Sequence, residues 1–285
     1  MAAITSAANT AATEMELISQ MVQTELLENT VILGSVTDHS DKLAEGIISV
    51  EVMRFQADKT AGSGRFGGPD DVNVDGETTT ARKTASLTTD RIDLNDHKAL
   101  VYRVPDRVKM QSRANLEAEL AVKAGREFAI YMDEEIRDVL RTLTSTITYA
   151  NTTDMGLADI TEARKRLNDE NVPQSDRVLL ISTKQEKAML DLPNFIEADK
   201  YGAREALLNG EIGQVFGFRV LVSNLLAQDE SFAYHRECVG YAIQQGIRFE
   251  SDRPDVGQPG TEYAYSALWG STLMYDGRKG VKFSV

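Results

Sequence analysis

A long, polar, glycine-rich stretch most constrains how this chain can fold. It runs from about residue 57 to residue 86 and contains five glycines, the last of which precedes Glu77 and three threonines. Loops of this length without a core of their own are uncommon in compact domains and are usually functional or disordered. The stretch therefore predicts an arm that is ordered only by packing on something outside its own fold.

Alternating patterns flank the glycine-rich stretch on both sides. Apolar residues take every second position from Ile48 to Val52 and again from Leu100 to Val104. Period-two alternation is typical of a half-buried strand. Pro105 ends the second strand because proline has no backbone N–H. These patterns predict one long hairpin with the glycine-rich arm between its strands.

The longest helical pattern follows, from about Arg113 to Leu143, with Ser112 as its cap. Acidic residues lie in its first turns and arginines near its end, as the helix dipole prefers. About 30 residues at a 1.5 Å rise give roughly 45 Å, more than the width of a small domain. We therefore expect this helix to span the molecule. Its apolar positions recur at spacings of three, four or five: Leu116, Leu120, Ala124, Phe128, Tyr131, Ile136, Val139 and Leu143.

Short helices and strands alternate after Asp154, and an isolated helix from Thr13 to about Glu28 opens the chain. Together with the long helix they predict an α+β fold, in which an α/β insert lies between a long helix and a returning sheet. The predicted elements of the insert are a helix at about 157–168, a buried strand at 177–181, a helix capped by Thr183 and Glu186, a helix ending at Asn209-Gly210, and a strand at 218–222. Strand-like patterns fill the rest of the chain from about residue 245.

The net charge of −13 argues against nucleic acid as a bound ligand, because phosphate binding needs clustered lysine and arginine. No Lys or Arg precedes Lys42, which excludes both a basic DNA-binding arm and a secretory signal there. No apolar run approaches the roughly 20 residues that span a bilayer. The single cysteine, Cys238, excludes an internal disulfide framework and indicates a reducing compartment.

Two half-motifs lie in the glycine-rich stretch. Residues Gly62 to Gly67 fit G-x-G-x-x-G, but Gly68-Pro69-Asp70 follows, which starts a helix poorly, so a flexible loop is the better interpretation. Residues 71–76 match the first half of a calcium loop, whose twelfth position needs a glutamate and here holds Arg82. An Asp/Asn/Gly turn cluster is the favoured interpretation, and weak calcium binding by residues 71–76 is left open.

The remaining inventory for catalysis is small. His235 and Cys238 have H-x-x-C spacing, but a structural zinc site needs four ligands and the other histidines, His39 and His97, are distant in sequence. The sequence contains neither a G-x-S-x-G elbow nor a Walker loop. We therefore predict that the protein is not an enzyme, and we assign no catalytic, cofactor-binding or metal-binding residue.

Two segments resemble the major capsid proteins of tailed bacteriophages, which have the Hong Kong 97-type capsid fold. Residues Asn209 to Asn224, NGEIGQVFGFRVLVSN, resemble the family pattern NG-x-IG-x-x-x-GF-x-V-x-x-S. The segment from Asn171-Val172-Pro173 to Arg177, before an apolar strand, is similar to a second family pattern. Relatives often have proline after that strand, where this chain has Ser182-Thr183.

The resemblance implies a division of the chain that follows the family's order of parts. Residues 1–47 would form an N-terminal arm, and residues 48–105 the extended hairpin called the E-loop with its flanking strands. Residues 106–150 would form the P-domain with its long spine helix, residues 151–240 the A-domain, and residues 241–285 a return to the P-domain sheet.

The resemblance also implies a function. Hexamers and pentamers of such a protein build an icosahedral shell around double-stranded DNA, with the E-loop over one neighbour and the arm around another. The expected location is the virion capsid, assembled in the host bacterial cytoplasm. The expected partners are copies of itself, a separate scaffolding protein and a portal, with a decoration protein as a further candidate. Neither sequence-specific nucleic-acid binding nor membrane association is expected. We expect no cleaved propeptide, and no motif supports a covalent crosslink by Lys59 or Lys83.

Two alternatives remain at this stage. An encapsulin, a cellular compartment with the same fold, would form a small shell filled with enzyme rather than with DNA. A calcium- or nucleotide-dependent enzyme built on the half-motifs would bind calcium or NAD as an unassembled subunit, which isothermal titration would detect.

Overall fold

The computed structural model describes residues 31–43, 47–55, 87–111, 116–150, 154–191, 213–254 and 259–284. Several sequence predictions concern segments outside these residues. They are the N-terminal helix, both half-motifs, Lys59 and Lys83, the Ser112 cap and the helix that ends at Asn209-Gly210.

Among the described residues, four helices and twelve strands are numbered here in chain order. The helices are α1 (Asp106–Gln111), α2 (Leu116–Arg141), α3 (Leu157–Asp169) and α4 (Thr183–Leu190). The strands are β1 (Thr37–Asp38), β2 (Ser49–Phe55), β3 (Leu87–Asp93), β4 (Asp96–Pro105), β5 (Thr146–Thr148), β6 (Arg177–Ile181), β7 (Gln214–Val215), β8 (Phe218–Val222), β9 (Ser231–His235), β10 (Val239–Asp252), β11 (Gly260–Leu273) and β12 (Gly280–Ser284).

The chain divides into two compact units, of which the smaller is Glu51–Arg91. In this unit β2 and β3 pair as a two-stranded sheet. Arg54 and Asp90 hold the two strands together through two hydrogen bonds of 2.7 and 3.1 Å, and the side chains are only 11% and 9% exposed. A bidentate guanidinium–carboxylate pair shielded from water is among the stronger polar contacts available to so small a sheet.

The predicted long hairpin is wrong in its strand pairing. The strand from Leu100 to Val104 lies in β4, which pairs antiparallel with β11 and not with β2. Leu100, Tyr102 and Val104 do face inward, as the alternation predicted, and Pro105 does end the strand. Alternation indicates which side chains of a strand are buried, but it carries no information about which strand is its partner. Pairing the strand at Leu100–Val104 with the preceding alternating segment was therefore wrong.

The larger unit contains two sheets. The four-stranded sheet has the order β1-β10-β11-β4, in which the long strands β10 and β11 are antiparallel. The six-stranded sheet has the order β5-β12-β9-β6-β8-β7 and mixes parallel with antiparallel pairs. The predicted C-terminal return therefore divides between the sheets, because β10 and β11 lie in the first while β12 lies in the second.

Helix α2 connects the cores of both sheets. Its buried residues belong to one core cluster together with Tyr265 and Trp269 of β11 and with Phe232 and Tyr234 of β9. A second core fills the other face of the six-stranded sheet, where α3 packs. Strand β6 is buried along its whole length because both of its faces are covered. The α+β class with an α/β insert therefore agrees with the sequence prediction.

The long helix ends two residues earlier than predicted, and one predicted apolar position is not on its buried face. Its 26 described residues span about 39 Å, and Leu143 lies beyond the helix end although it is fully buried. The predicted start at Arg113 lies outside the described residues. Tyr131 is 39% exposed, while the neighbouring Met132 is 3% exposed and occupies the core. Tyr131 was wrongly predicted to lie on the buried face of the helix. Positions three and four residues after Phe128 are both compatible with one helix face, and the structure buries the second of them, Met132.

Candidate assembly surfaces and their anchors

The glycine pattern of residues 213–224 forms a tight hairpin at the edge of the six-stranded sheet. Strands β7 and β8 are joined by the two-residue loop Phe216-Gly217, in which both residues have positive φ, +48° and +83°. This is the conformation of a type I′ turn, which matches the twist of the strands it connects. Glycine adopts this conformation readily, whereas a phenylalanine in this conformation lowers the stability of the fold by roughly 1 kcal/mol. The turn holds Phe216 at the hairpin tip, where it is 41% exposed.

The Asn171-Val172-Pro173 pattern ends helix α3. Asn171 has φ of +52°, and the N–H groups of Asn171 and Val172 donate to the carbonyls of Asn168 and Leu167. These are the two hydrogen bonds of a Schellman motif with asparagine in place of glycine. The pattern therefore stops the helix and turns the chain into β6.

Arg177 fixes this turn from inside. Its side chain is 3% exposed and donates to the carbonyls of Pro173 at 2.7 Å and Val172 at 2.6 Å, and to the Asn168 side chain at 2.8 Å. Burial, followed by the nearby charge of Arg164, lowers the pKa of Arg177. The arginine of the second family pattern is thus a structural clamp and not a ligand-binding group.

The N-cap of the helix after β6 lies one residue before the predicted cap. Ser182, not Thr183, is the N-cap residue, and its hydroxyl accepts from the Gln185 N–H at 3.5 Å. The same hydroxyl donates to the Gln228 carbonyl at 2.7 Å. Ser182 therefore ties the start of α4 to the loop before β9, in the position where relatives often have proline.

Both residues of the H-x-x-C pair are buried. The Nδ1 atom of His235 accepts from the backbone N–H of Glu237 at 3.2 Å, and burial lowers the pKa of His235. Cys238 is fully buried, and burial raises the pKa of its thiol to about 12, so it stays protonated. Across the described ranges, no group of three or more histidine, cysteine, aspartate or glutamate residues is arranged to hold a metal ion.

An unpredicted carboxylate anchors the first described residues of the chain. Asp133 lies on the buried face of α2 and accepts from the backbone N–H groups of Val31 at 2.9 Å, Ile32 at 3.2 Å and Leu33 at 2.9 Å. These donors begin the 3₁₀ turn Leu33–Ser35, so Asp133 caps that turn from a distant part of the chain. Burial raises the pKa of Asp133, and the three donors oppose that shift.

A second buried acid joins α2 to the four-stranded sheet. The carboxylate of Glu135 accepts from the indole N–H of Trp269 and from the Ser271 hydroxyl at 3.3 Å. Burial, together with a hydrogen bond to Asp96, raises the pKa of Glu135 to about 7. Two carboxyl groups can hydrogen-bond only when one of them carries a proton, so this contact between α2, β4 and β11 is sensitive to pH.

Sequence analysis missed both acids, although one signal was available. Asp133 and Ile136 lie three residues apart on one face of α2, with Ala129 one turn before them, and all three are buried. A charged residue inside an apolar stripe indicates a buried partner, because an isolated buried charge is strongly unfavourable. The pattern of the helix could have identified Asp133 as a polar anchor, but it could not have identified the backbone donors a hundred residues away.

No helix among the residues that the structure describes is long and apolar enough to cross a membrane. The charged groups described above pair with backbone, indole and hydroxyl groups of the chain itself. These contacts stabilise turns and connect elements. The tip of the β7–β8 hairpin is exposed at the surface.

Comparison with known proteins gives matches in sequence family and in fold. The model of the family described as phage capsid protein matches residues 73–275. A solved structure of Mycobacterium phage Che8 is similar to this chain with a TM-score of 0.73 and 21% identity, over 89% of this chain and 90% of that one. No curated protein matches the sequence.

Two further solved structures share the fold. The capsid structure of cyanophage P-SCSP1u has a TM-score of 0.67 and 15% identity, over 90% of this chain and 88% of that one. A virus-like particle from Pyrococcus furiosus has a TM-score of 0.62 and 12% identity, over 95% of this chain and 99% of that one. At these identities the likeness concerns the arrangement of the elements along nearly the whole chain.

Proposed function

This chain belongs to the phage capsid protein family, and we propose that it assembles as hexamers and pentamers into an icosahedral shell around the double-stranded DNA of a tailed phage. The observation that carries the proposal is the correspondence of almost the whole chain with a phage structure, 89% of this chain and 90% of the Che8 chain. Because a match of that extent includes nearly all of the given residues, few of them remain for a separate catalytic or binding domain.

The fold is the capsid fold that the sequence predicted. Within it, we propose the division into an N-terminal arm (1–47), an E-loop region (48–105), a P-domain with the spine helix (106–150), an A-domain (151–240) and a C-terminal return (241–285). The compact unit Glu51–Arg91 supports the E-loop boundary, although its strands are β2 and β3. Strand β12 joins the six-stranded sheet, so the C-terminal return contributes strands to both sheets of the larger unit.

The proposed role is structural and requires no cofactor. Fold and family are those of shell proteins, and the buried polar groups described above stabilise the fold. We propose that the partners are copies of this chain together with a scaffolding protein and a portal, with a decoration protein as a further candidate. The proposed location is the virion capsid, after assembly in the cytoplasm of the host bacterium.

The encapsulin alternative is not favoured. The matching sequence family is that of phage capsid proteins, and it covers residues 73–275. The fold itself does not separate the alternatives, since the resemblance implies the same fold for both. The contents of the particle distinguish a phage capsid from a cellular compartment.

Nuclease protection of purified particles tests the proposed contents. Particles that contain this chain are treated with nuclease, opened and analysed for DNA and for internal protein. We expect protected double-stranded DNA of one genome length in full particles. Particles that are filled with an enzyme and contain no protected DNA would contradict the phage assignment and support a cellular compartment.

A further inference from the structure

One end of the six-stranded sheet carries a groove lined by arginine side chains. The groove has a volume of about 350 Å³, and we call it the arginine groove. Its position follows from the sheet, because Arg177 begins β6, Arg219 lies in the parallel neighbour β8, and Arg236 follows the end of β9. Its lining includes Ser35, Asp176, Arg177, Arg219 and Arg236.

The arginine groove has an excess of positive charge that the described residues do not neutralise. No described carboxylate pairs with Arg219, and the one described hydrogen bond of the Arg236 side chain is a long one, 3.4 Å, to the Val36 carbonyl. Arg177 uses its N–H groups on backbone and amide oxygens, so its charge is not neutralised either. Among the described residues that line the groove, Asp176 is the only acidic one.

The same chain contains a segment of opposite charge, which ends just before the first described residue. Residues 1–30 include Glu14, Glu16, Glu25 and Glu28 and contain no lysine or arginine. The described chain starts at Val31, and Gly34 and Ser35, three and four residues later, already line the groove. An extended chain spans about 3.5 Å per residue, so the three residues from Glu28 to Val31 cover at most about 10 Å.

We propose that the arginine groove binds the acidic segment of residues 14–28, through glutamate carboxylates paired with Arg219 and Arg236. Guanidinium groups pair with carboxylates in a planar, bidentate geometry that a small groove can accommodate. The segment is that of the same chain, because Glu28 lies three positions before Val31 and the groove lining begins at Gly34. This pairing within one chain does not depend on the proposed function.

Nucleic acid fits the arginine groove less well. A groove of about 350 Å³ holds a few side chains rather than a duplex. The net charge of −13 and the presence of Asp176 both disfavour a polyanion, whose binding depends on several neutralised phosphates.

Disulfide trapping in the full-length chain tests the proposal. Arg219→Cys is combined in turn with Glu14→Cys, Glu16→Cys, Glu25→Cys and Glu28→Cys, while Cys238 is fully buried and stays unreactive. At least one pair is expected to crosslink roughly 10-fold faster than the same glutamate variant combined with Arg248→Cys, because docking raises the effective concentration. Arg248 is a matched control, since its side chain is 65% exposed and lies outside the groove.

The expected product is a crosslink within one chain. A covalent dimer formed in place of that product would overturn the proposal and assign the groove to a neighbour's segment. Rates equal to those of the Arg248 control for all four positions would overturn the proposal. The result does not depend on shell formation, so failure of the proposed function and failure of this inference are distinguishable.

A charge swap provides the second measurement. Arg219→Glu with Arg236→Glu should speed hydrogen exchange of the amides at residues 174–178, and so should Glu25→Lys with Glu28→Lys. Combining all four changes should restore slow exchange, which a merely structural role of the arginines would not do. Failure of the combination to restore protection would overturn the proposal. Binding of a labelled DNA duplex would also overturn the proposal, if Arg219→Glu with Arg236→Glu abolishes that binding and Arg248→Glu preserves it.

Discussion

The buried guanidinium of Arg177 shows how one residue specifies a turn. Replacing it with alanine leaves three oxygen acceptors without their donor, among them the carbonyls of Val172 and Pro173. We expect Arg177→Ala to lower the free energy of unfolding by about 3 kcal/mol, because unsatisfied buried polar groups are costly. Arg177→Lys should recover only part of this loss, since an ammonium group lacks the planar array of donors.

Chemical denaturation of unassembled subunits measures this effect. Arg248→Ala serves as the control, because the ion pair of Arg248 with Glu250 is exposed and should contribute less than about 1 kcal/mol. Equal stabilities for the Arg177 and Arg248 variants would contradict the proposed clamp.

Asp133 should be equally important at the start of the described chain. Asp133→Ala removes the acceptor of three backbone N–H groups, so we expect a loss of about 3 kcal/mol. Hydrogen exchange should also become faster at the amides of residues 31–33. The control is Asp138→Ala on the same helix, whose side chain is 57% exposed. Unchanged exchange at residues 31–33 would show that Asp133 does not hold this segment.

At the scale of elements, Gly270 allows strand β11 to pass close to the backbone before β4. A Cβ atom at this position would lie 2.0 Å from the Asp93 carbonyl oxygen. Gly270→Ala should therefore cost about 3 kcal/mol, because backbone rather than a movable side chain must shift. Gly34→Ala is the matched control, since a Cβ there meets no atom within 4 Å. A Gly270 variant as stable as the Gly34 variant would rule out this close approach.

The contact between α2 and the four-stranded sheet should weaken as pH rises. Folding raises the pKa of Glu135 from 4.5 to about 7. Its contribution to stability is therefore complete below about pH 4.5 and is lost as the pH rises through about 7. Glu135→Gln cannot ionise, and its amide can still accept from Trp269 and donate to Asp96. The melting temperature of the variant relative to wild type should increase from pH 5 to pH 8.

Thermal unfolding of unassembled subunits at four pH values tests this expectation. Glu119→Gln, an exposed change on the same helix, is the control and should follow the wild-type curve. Parallel curves for wild type and Glu135→Gln would show that Glu135 does not titrate in this range.

Sequence patterns predicted the individual elements better than their partners. The alternation of β4 and the apolar run of β6 identified two strands whose burial agrees with the structure. The pairing of β4 with β11 joins residues about 160 positions apart, and no local pattern encodes it. The strand β3 was missed because its sequence, LTTDRID, has few apolar residues.

The same distinction applies to the candidate surfaces. The turn at Phe216-Gly217 leaves a local trace in the sequence, because left-handed backbone favours glycine. The arginine groove leaves no such trace, since Arg177, Arg219 and Arg236 come from three separate segments. Only the sheet order of β9, β6 and β8 brings them to one end.

At the scale of the whole molecule, one helix connects the cores of two sheets. Residues of α2 pack against β11 and β9, so the P-domain and A-domain that we propose would share one continuous core in the larger unit. Such a subunit would resist deformation between these parts. Variation between rings of five and six copies would then involve the contacts between subunits more than the core within one.

Cryo-electron microscopy of purified particles that contain this chain tests the central claim most directly. We predict a closed icosahedral shell in which the density of every subunit fits this fold, with five copies around each fivefold vertex and six in the other rings. A shell whose repeating subunit has a different fold, with this chain absent from the lattice, would contradict the assignment.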